Sequence, residues 1–303
     1  FFYTDEPRDQ EAFNNIKASY DLFKEYVPSD YAFYVNLNPM ELFSNDLDLY
    51  KEYIASYVDT VDPRFISYDF YAPLGYTPNI KRQYYIQLTT ISEFANERKL
   101  PFWAFALATG HSFSGGSFYR APTEEDIYWQ VNTVLAYGAK GLQYFCYQTP
   151  APADAGGKEF YVGKGGSIVN EKGEKTEIFD YIKNINQYVA SIDHLLMNST
   201  KIGVLNKEDM PAAYLFEEAK ESIREVSSLE SNNNVFVSVF DYKGKTLYYC
   251  VNNSITDDAT FSLNFTKQVN AKIYPMDLNI RNEKIKTYQD TLKPGRAVLL
   301  EIL

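Results

Sequence analysis

The chain opens Phe1-Phe2-Tyr3-Thr4-Asp5-Glu6-Pro7-Arg8-Asp9, and this stretch decides between two ways of building the fold. Phe1 to Thr4 reads as a buried strand. Thr4 to Asp9 then holds no glycine and three acidic residues in six. An open, doubly wound α/β sheet would place a glycine-rich phosphate-binding turn after its first strand, and a turn this acidic repels phosphate. Outward from it, strand-like runs recur at Tyr31–Asn36, Phe65–Phe70, Phe102–Leu107 and Gly141–Tyr147. They are short and rich in Phe, Tyr, Val and Ile, as buried parallel strands are. Helical spacing fills the gaps at Gln10–Tyr26, Leu47–Val61, Lys81–Lys99, Thr123–Tyr137 and Thr176–Leu196; Thr123 and Asp126 have near capping-box spacing.

Five strand–helix units in the first 200 residues fall short of the roughly 250 residues of a closed eight-unit barrel. The expected fold class is therefore α/β: a (β/α)8 TIM barrel lacking its first strand–helix units. The chain would start at the fourth strand with its natural N-terminus upstream. Two free sheet edges would result, an aggregation liability; an upstream segment or a partner chain is expected to complete the barrel. From about Lys201 the pattern changes to short alternating strands. Val235–Phe240, the turn Asp241-Tyr242-Lys243-Gly244-Lys245 and Thr246–Val251 spell a hairpin. Residues 1–200 are read as the barrel part and 201–303 as a small antiparallel β-sandwich.

Composition narrows the function. With 29 Lys and Arg against 40 Asp and Glu, the net charge of −11 argues against nucleic acid as a partner. No apolar run approaches the ~20 residues of a membrane span. Two histidines and two distant cysteines, Cys146 and Cys250, offer neither a metal site nor a disulfide framework, and no cofactor is expected. The 27 Tyr and 21 Phe supply flat apolar faces, many with a hydroxyl, which suits sugars as well as protein cores.

In parallel α/β folds functional groups gather at the carboxyl ends of strands. Those ends here hold Asp5-Glu6-Pro7, Asn36-Leu37-Asn38, Asp69-Phe70-Tyr71, Trp103 with His111, and Gln143-Tyr144 with Gln148. Strand alternation groups Thr4 with Glu6, Tyr34 with Asn36 and Asn38, and Ser67 with Asp69 and Tyr71. Glycoside hydrolysis needs one carboxylic acid to protonate the leaving oxygen and one carboxylate as base or nucleophile. Glu6 and Asp69 are the candidates, with Asp5, Asn36, Tyr71, Trp103, His111, Tyr144 and Gln148 expected to bind substrate. The alternative for Asp5 and Glu6 is capping of the first helix. For Trp103 it is a place in the core. The glycines at 156–157 and 163–166 lack Walker spacing and read as a long loop.

The segments FFYTDEP, YAFYVNLNP, FISYDFYAP, KLPFWAFALATGHSF and, most specifically, PTEEDIYWQVNTVLAYGAKGLQYFCYQTP (122–150) resemble a known family. So do VNEKGEKTEIFDYIKNINQYV and the terminal LKPGRAVLLEIL. The chain is similar to the second half of clan A-like (β/α)8 glycoside hydrolases of the bacterial β-galactosidase-like group. The resemblance implies a glycosidase cleaving O-glycosidic bonds of oligo- or polysaccharides, exported or held at the cell surface. It aligns Glu6 with the family's acid/base on the fourth strand, with Asp5 in place of Asn, and sets Gln148 where such barrels often carry Trp. The usual seventh-strand Glu has no counterpart in Phe102–Leu107 or Ala108-Thr109-Gly110. Asp69 or a carboxylate on the absent strands would take that role; otherwise the protein is a non-catalytic, glycan-binding degenerate barrel.

Overall fold

The computed structural model describes residues 2–71, 74, 80–113, 118–151, 158–160, 166–206, 225–232 and 235–303. Strand–helix alternation leads. β1 (Phe2–Asp5), α1 (Gln10–Tyr26), β2 (Tyr34–Leu37), α2 (Leu47–Val61), β3 (Ile66–Tyr68), α3 (Ile80–Arg98) and β4 (Phe102–Leu107) follow one another. Next come a hairpin of β5 (His111–Phe113) and β6 (Phe118–Tyr119), then α4 (Glu124–Ala136), β7 (Gly141–Phe145), β8 (Lys158–Phe160) and α5 (Glu177–Leu196). The helix spans match the sequence periodicity to within a residue at either end. Thr123 and Asp126 form the full reciprocal capping box. Asp9, rather than Asp5 or Glu6, caps α1 by accepting from the Ala12 amide. That frees the two earlier acids from the capping role.

β1, β2, β3, β4 and β7 pair in that order, all parallel. The order never reverses, so it contains no topological switch point of a doubly wound sheet. With right-handed crossovers, a one-way order puts every helix on the same face. Burial agrees. Val35, Leu37, Ile66, Tyr68, Phe102, Ala104 and Ala106 are buried in one core with α1 to α5. Tyr34, Trp103, Phe105, Gln143 and Phe145 on the opposite face are only half-buried. A parallel sheet ordinarily covers both faces; here one face is partly open.

The last third forms one seven-stranded antiparallel sheet: β9 (Thr200–Asn206), β10 (Val226–Ser231), β11 (Val235–Tyr242), β12 (Lys245–Asn252), β13 (Ala259–Pro275), β14 (Arg281–Leu292) and β15 (Ala297–Ile302). β13 slips register between Asn264 and Val269; its first half borders β10 and its second half β15. Where a two-sheet sandwich was expected, the described strands pair as a single sheet. Alternate residues of β11, β12 and β15 serve two cores. Val237, Val239, Tyr248, Cys250, Val298 and Leu300 face inward, while Phe236, Phe240, Leu247, Tyr249 and Leu299 pack on the helices of the first unit. Both faces of these strands are buried, which explains their unbroken apolar runs.

One residue at this junction works against stability. Lys201 in β9 is 9% exposed, and its ammonium has no hydrogen-bond partner among the described residues. It lies 5.2 Å from the centroid of the Tyr137 ring. Burial lowers its pKa from 10.5 to about 8, with Glu93 opposing. Because the folded value lies below the unfolded one, the burial penalty is complete below pH 8 and is relieved between pH 8 and 10.5. Lys201→Met is expected to stabilise the protein at pH 7 by about 1–3 kcal/mol, after allowing for the lost ring contact. Urea unfolding at pH 7 and pH 10 checks this: the gain should shrink at the higher pH.

Candidate functional site

The carboxyl ends of the parallel strands meet in a cleft of about 510 Å³ on the open face. Register builds it. Asp5 pairs with Asn36, Asn36 with Ser67, Ser67 with Trp103 and Trp103 with Gly141. Residues paired across neighbouring strands share a face, so Asp5 and not Thr4 looks onto the open side. The alternation read from sequence was one residue out at this strand, because β1 slips register between Phe2 and Thr4. Glu6 still reaches the cleft. Its backbone turns into the left-handed region (φ 49°) while its amide donates to Asn36 O at 2.9 Å. A non-glycine residue held there is locally strained, a pattern that clusters at functional sites. The next carbonyl, Pro7 O, accepts from Asn38 Nδ2 (2.7 Å) and the Tyr53 hydroxyl (2.8 Å). Asn38 is therefore a fully buried anchor behind the acidic turn, not a cleft residue as alternation implied.

A relay of hydrogen bonds orients the centre. Gln143 Nε2 donates to Ser67 Oγ (2.9 Å), and Ser67 Oγ donates to Asn36 Oδ1 (3.1 Å). With its carbonyl so engaged, Asn36 turns its amide nitrogen toward two carboxylates: Asp69 Oδ1 at 2.8 Å and Asp5 Oδ1 at 3.3 Å. Sharing one nitrogen keeps those two oxygens within about 6 Å of each other. Burial raises the Asp69 carboxyl from 3.8 to about 6, reinforced by the charges of Glu6 and Asp5; the hydrogen bonds from Asn36 and Tyr71 pull it back in part.

The opposite wall is aromatic. His111 and Tyr119, paired across β5 and β6, stack with ring centroids 4.9 Å apart. Tyr71 meets both edge-on and stacks on Phe145 at 5.6 Å. Phe105, Glu41 and Arg8 also line the cleft, and burial raises the Glu41 carboxyl. The cleft thus joins Glu6, Asp69, Asp5, Asn36, Tyr71 and His111, as read from the sequence.

Three expected residues lie elsewhere. Trp103 shares the open face but sits below the cleft floor, stacked on Phe65 at 4.1 Å and over Gly141, where any Cβ would collide with its ring. Tyr144 points to the helix side and donates to Asn186 Oδ1 (2.7 Å), because strand alternation sends Gln143 and Phe145 to the cleft instead. Gln148 lies past the strand end, exposed, and donates to Glu171 O at 3.3 Å. Gln143, Phe145, Phe105, Tyr119, Glu41 and Arg8 were not singled out from the sequence. Alternation from Gly141 and Trp103 would have found the first three; Tyr119, Glu41 and Arg8 depend on how the segments between the parallel strands fold. Of the long loop expected around residues 156–166, Lys158–Phe160 instead form β8, paired with β5; 156–157 and 161–165 lie outside the described residues. Among the described residues no group of three His, Cys, Asp or Glu could hold a metal, and no helix is long and apolar enough to cross a membrane.

Paired acids beside amides and rings can protonate, attack and grip a hydroxyl-rich molecule. No protein-family model and no curated protein matches the sequence. Solved structures of glycoside hydrolases are among those to which the chain is similar. AmyP in complex with maltose is 13% identical with a TM-score of 0.46, over 99% of this chain and 63% of that one. An Anoxybacillus α-amylase is 10% identical with a TM-score of 0.45, over 97% and 63%. The β-galactosidase of Halorubrum lacusprofundi is 12% identical with a TM-score of 0.41, over 60% and 26%. The chain spans less than two thirds of the length of each.

Proposed function

We propose that the protein is a glycosidase acting on O-glycosidic bonds of oligo- or polysaccharides outside the cytoplasm, with Asp69 as its proton donor. The observation that carries this is the Asp5–Asn36–Asp69 bridge: two carboxylates close together, one of them keeping its proton up to about pH 6. Environments that push two acids apart in pKa mark the acid and its partner. This reverses the roles read from the sequence, where Glu6 was the acid. Asp5 or Glu6 supplies the carboxylate that attacks the anomeric carbon or activates water. A spacing under about 6 Å favours direct attack and retention, for which carboxyl groups stand roughly 5–5.5 Å apart. The His111–Tyr119–Tyr71 wall receives the sugar's C–H face.

The same proposal covers the fold. A one-way parallel sheet with all helices on one face and a half-open polar face is what a section of a (β/α)8 barrel requires. The remaining strands would come from another segment of a longer protein or from a partner chain.

Aryl glycosides of several sugars test the activity. kcat/KM is expected to fall on the alkaline side as Asp69 loses its proton near pH 6. Asp5→Asn and Glu6→Gln identify the partner: the variant that loses about 10²-fold or more carries that role. If neither loses activity, the paired-acid mechanism is wrong.

The end of β4 favours a second reading. Leu107, Ala108 and Thr109 are buried there and bring no carboxylate. A glycan-binding protein without turnover would bind oligosaccharide equally well as the wild type and as Asp69→Asn, and would release no aryl alcohol.

A further inference from the structure

The segment between β4 and α4 leaves the sheet at Leu107, carries His111 and Tyr119 to the cleft, and returns at Thr123. Both of its ends are pinned by the first turns of α4. At the outgoing end the Leu107 amide donates to Gln130 Oε1 at 2.8 Å, and Gln130 Nε2 donates back to Leu107 O at 3.3 Å. At the returning end the Arg120 guanidinium forks onto Asp126, with Nη2 to Oδ1 at 2.6 Å and Nη1 to Oδ2. Asp126 and Gln130 are almost completely buried. Asp126 already completes the capping box by accepting from the Thr123 amide at 2.8 Å. The helix start needs nothing from Arg120. What the fork adds is a tie to the residue immediately after Tyr119.

Two further contacts hold the base of this segment. The Arg120 amide donates to Leu74 O at 3.0 Å, joining the hairpin to the chain beyond Tyr71. The two ends also touch at Gly110, where a Cβ would stand 2.7 Å from the Ala121 amide nitrogen. Only a residue without a side chain lets the backbones close there. All the carboxylates of the cleft come from β1, β2, β3 and the turns that follow them, so the acids and the hairpin are carried by separate elements.

We propose that α4 holds the β5–β6 hairpin as the specificity-determining wall of the cleft, with Arg120 and Gln130 as its positioning residues. The turnover arm of its test rests on the glycosidase reading; the structural arm does not. A wall of stacked rings sets where a sugar lies, and the acids set what happens to it. Loosening the wall therefore acts on binding before chemistry. A lysine cannot replace the planar fork, since it offers a single mobile point charge.

Arg120→Lys and Gly110→Ala test this against Arg98→Gln, which removes the exposed Arg98–Asp59 pair at the far end of the strands. Amide hydrogen exchange over residues 108–113 and 118–121 is expected to accelerate about 10-fold or more in the first two variants and not in the third. With aryl glycosides, KM is expected to rise about 10-fold in Arg120→Lys while kcat stays within about 3-fold. Unchanged exchange overturns the clamp, whatever the protein acts on. Faster exchange with a fall in kcat and an unchanged KM overturns the assignment of the wall to specificity. A wild type that hydrolyses none of the glycosides sinks the hydrolase reading. Affinity for an oligosaccharide ladder then replaces KM, and unaltered affinity in Arg120→Lys overturns the wall.

Discussion

Asp69→Asn is expected to lower turnover of aryl glycosides by about 10²–10⁴-fold, the usual contribution of a positioned acid or base. The same change should raise stability at pH 7.5 by about 1–2 kcal/mol, because the half-buried carboxylate is poorly solvated in the folded state. The folded carboxyl titrates near 6 against 3.8 for the free group. A raised carboxyl binds its proton more tightly in the folded state, so stability is lost as pH climbs from about 4 to 6, and the penalty is complete above that. Asparagine keeps the shape and carries no charge. Urea titrations at pH 4 and 7.5 should show the gain only at the higher pH. Leaving groups separate the possible roles. If Asp69 donates the proton, a glycoside with a strongly acidic phenol should recover most of the lost rate; if it attacks carbon, no leaving group should help. Full activity in Asp69→Asn, or equal stability at both pH values, would remove Asp69 from the mechanism. The expected opposition of activity and stability is what a charge kept in a poorly solvated site for chemistry produces.

Trp129→Ala is expected to cost about 3–5 kcal/mol, the range for emptying a buried indole site. Trp129 lies where α4 meets the antiparallel sheet. Its Nε1 donates to Asn253 Oδ1 at 2.9 Å, and the same oxygen accepts from the Tyr85 hydroxyl at 2.6 Å. Tyr84 and Tyr85 pack on its ring at centroid distances of 5.1 and 6.2 Å. One turn along, Asn132 Nδ2 donates to Gly295 O at 2.8 Å and its Oδ1 accepts from the Tyr249 hydroxyl at 2.7 Å. Side chains of α4, together with Tyr85 of α3, thus pair with polar groups of the antiparallel part inside one core. The wild type should therefore unfold in one transition, followed by circular dichroism in urea, and the variant should shift that transition to lower urea. Trp129→Phe separates the causes, since it keeps most of the ring and loses the hydrogen bond, and should cost about 1–2 kcal/mol. Two separate transitions in the wild type, or a loss below about 1 kcal/mol in Trp129→Ala, would show that the junction does not hold the two parts together.

The sequence by itself located the five helices and the five parallel strands of the first unit. Periodicity placed the five helices within a residue because apolar residues recur at three- and four-residue steps, and side chains such as Asp9, Asp46, Thr123 and Thr176 cap four of them. It marked the five parallel strands and gathered Glu6, Asp69, Asn36, Tyr71 and His111 as candidates, since functional groups concentrate at strand ends. Tertiary structure decided which of these side chains meet. Period-two alternation assumes an unbroken strand, and the slip in β1 moved the open-side position from Thr4 to Asp5. The cleft residues Tyr119 and Glu41 come from segments between the parallel strands, and Tyr119 stands beside the ties of Leu107 to Gln130 and of Arg120 to Asp126 on α4. The charge state of Asp69 likewise depends on burial and on acids from another strand. Local pattern fixes what a residue can form with its neighbours in the chain; long-range contact fixes its distance, its solvent and its proton.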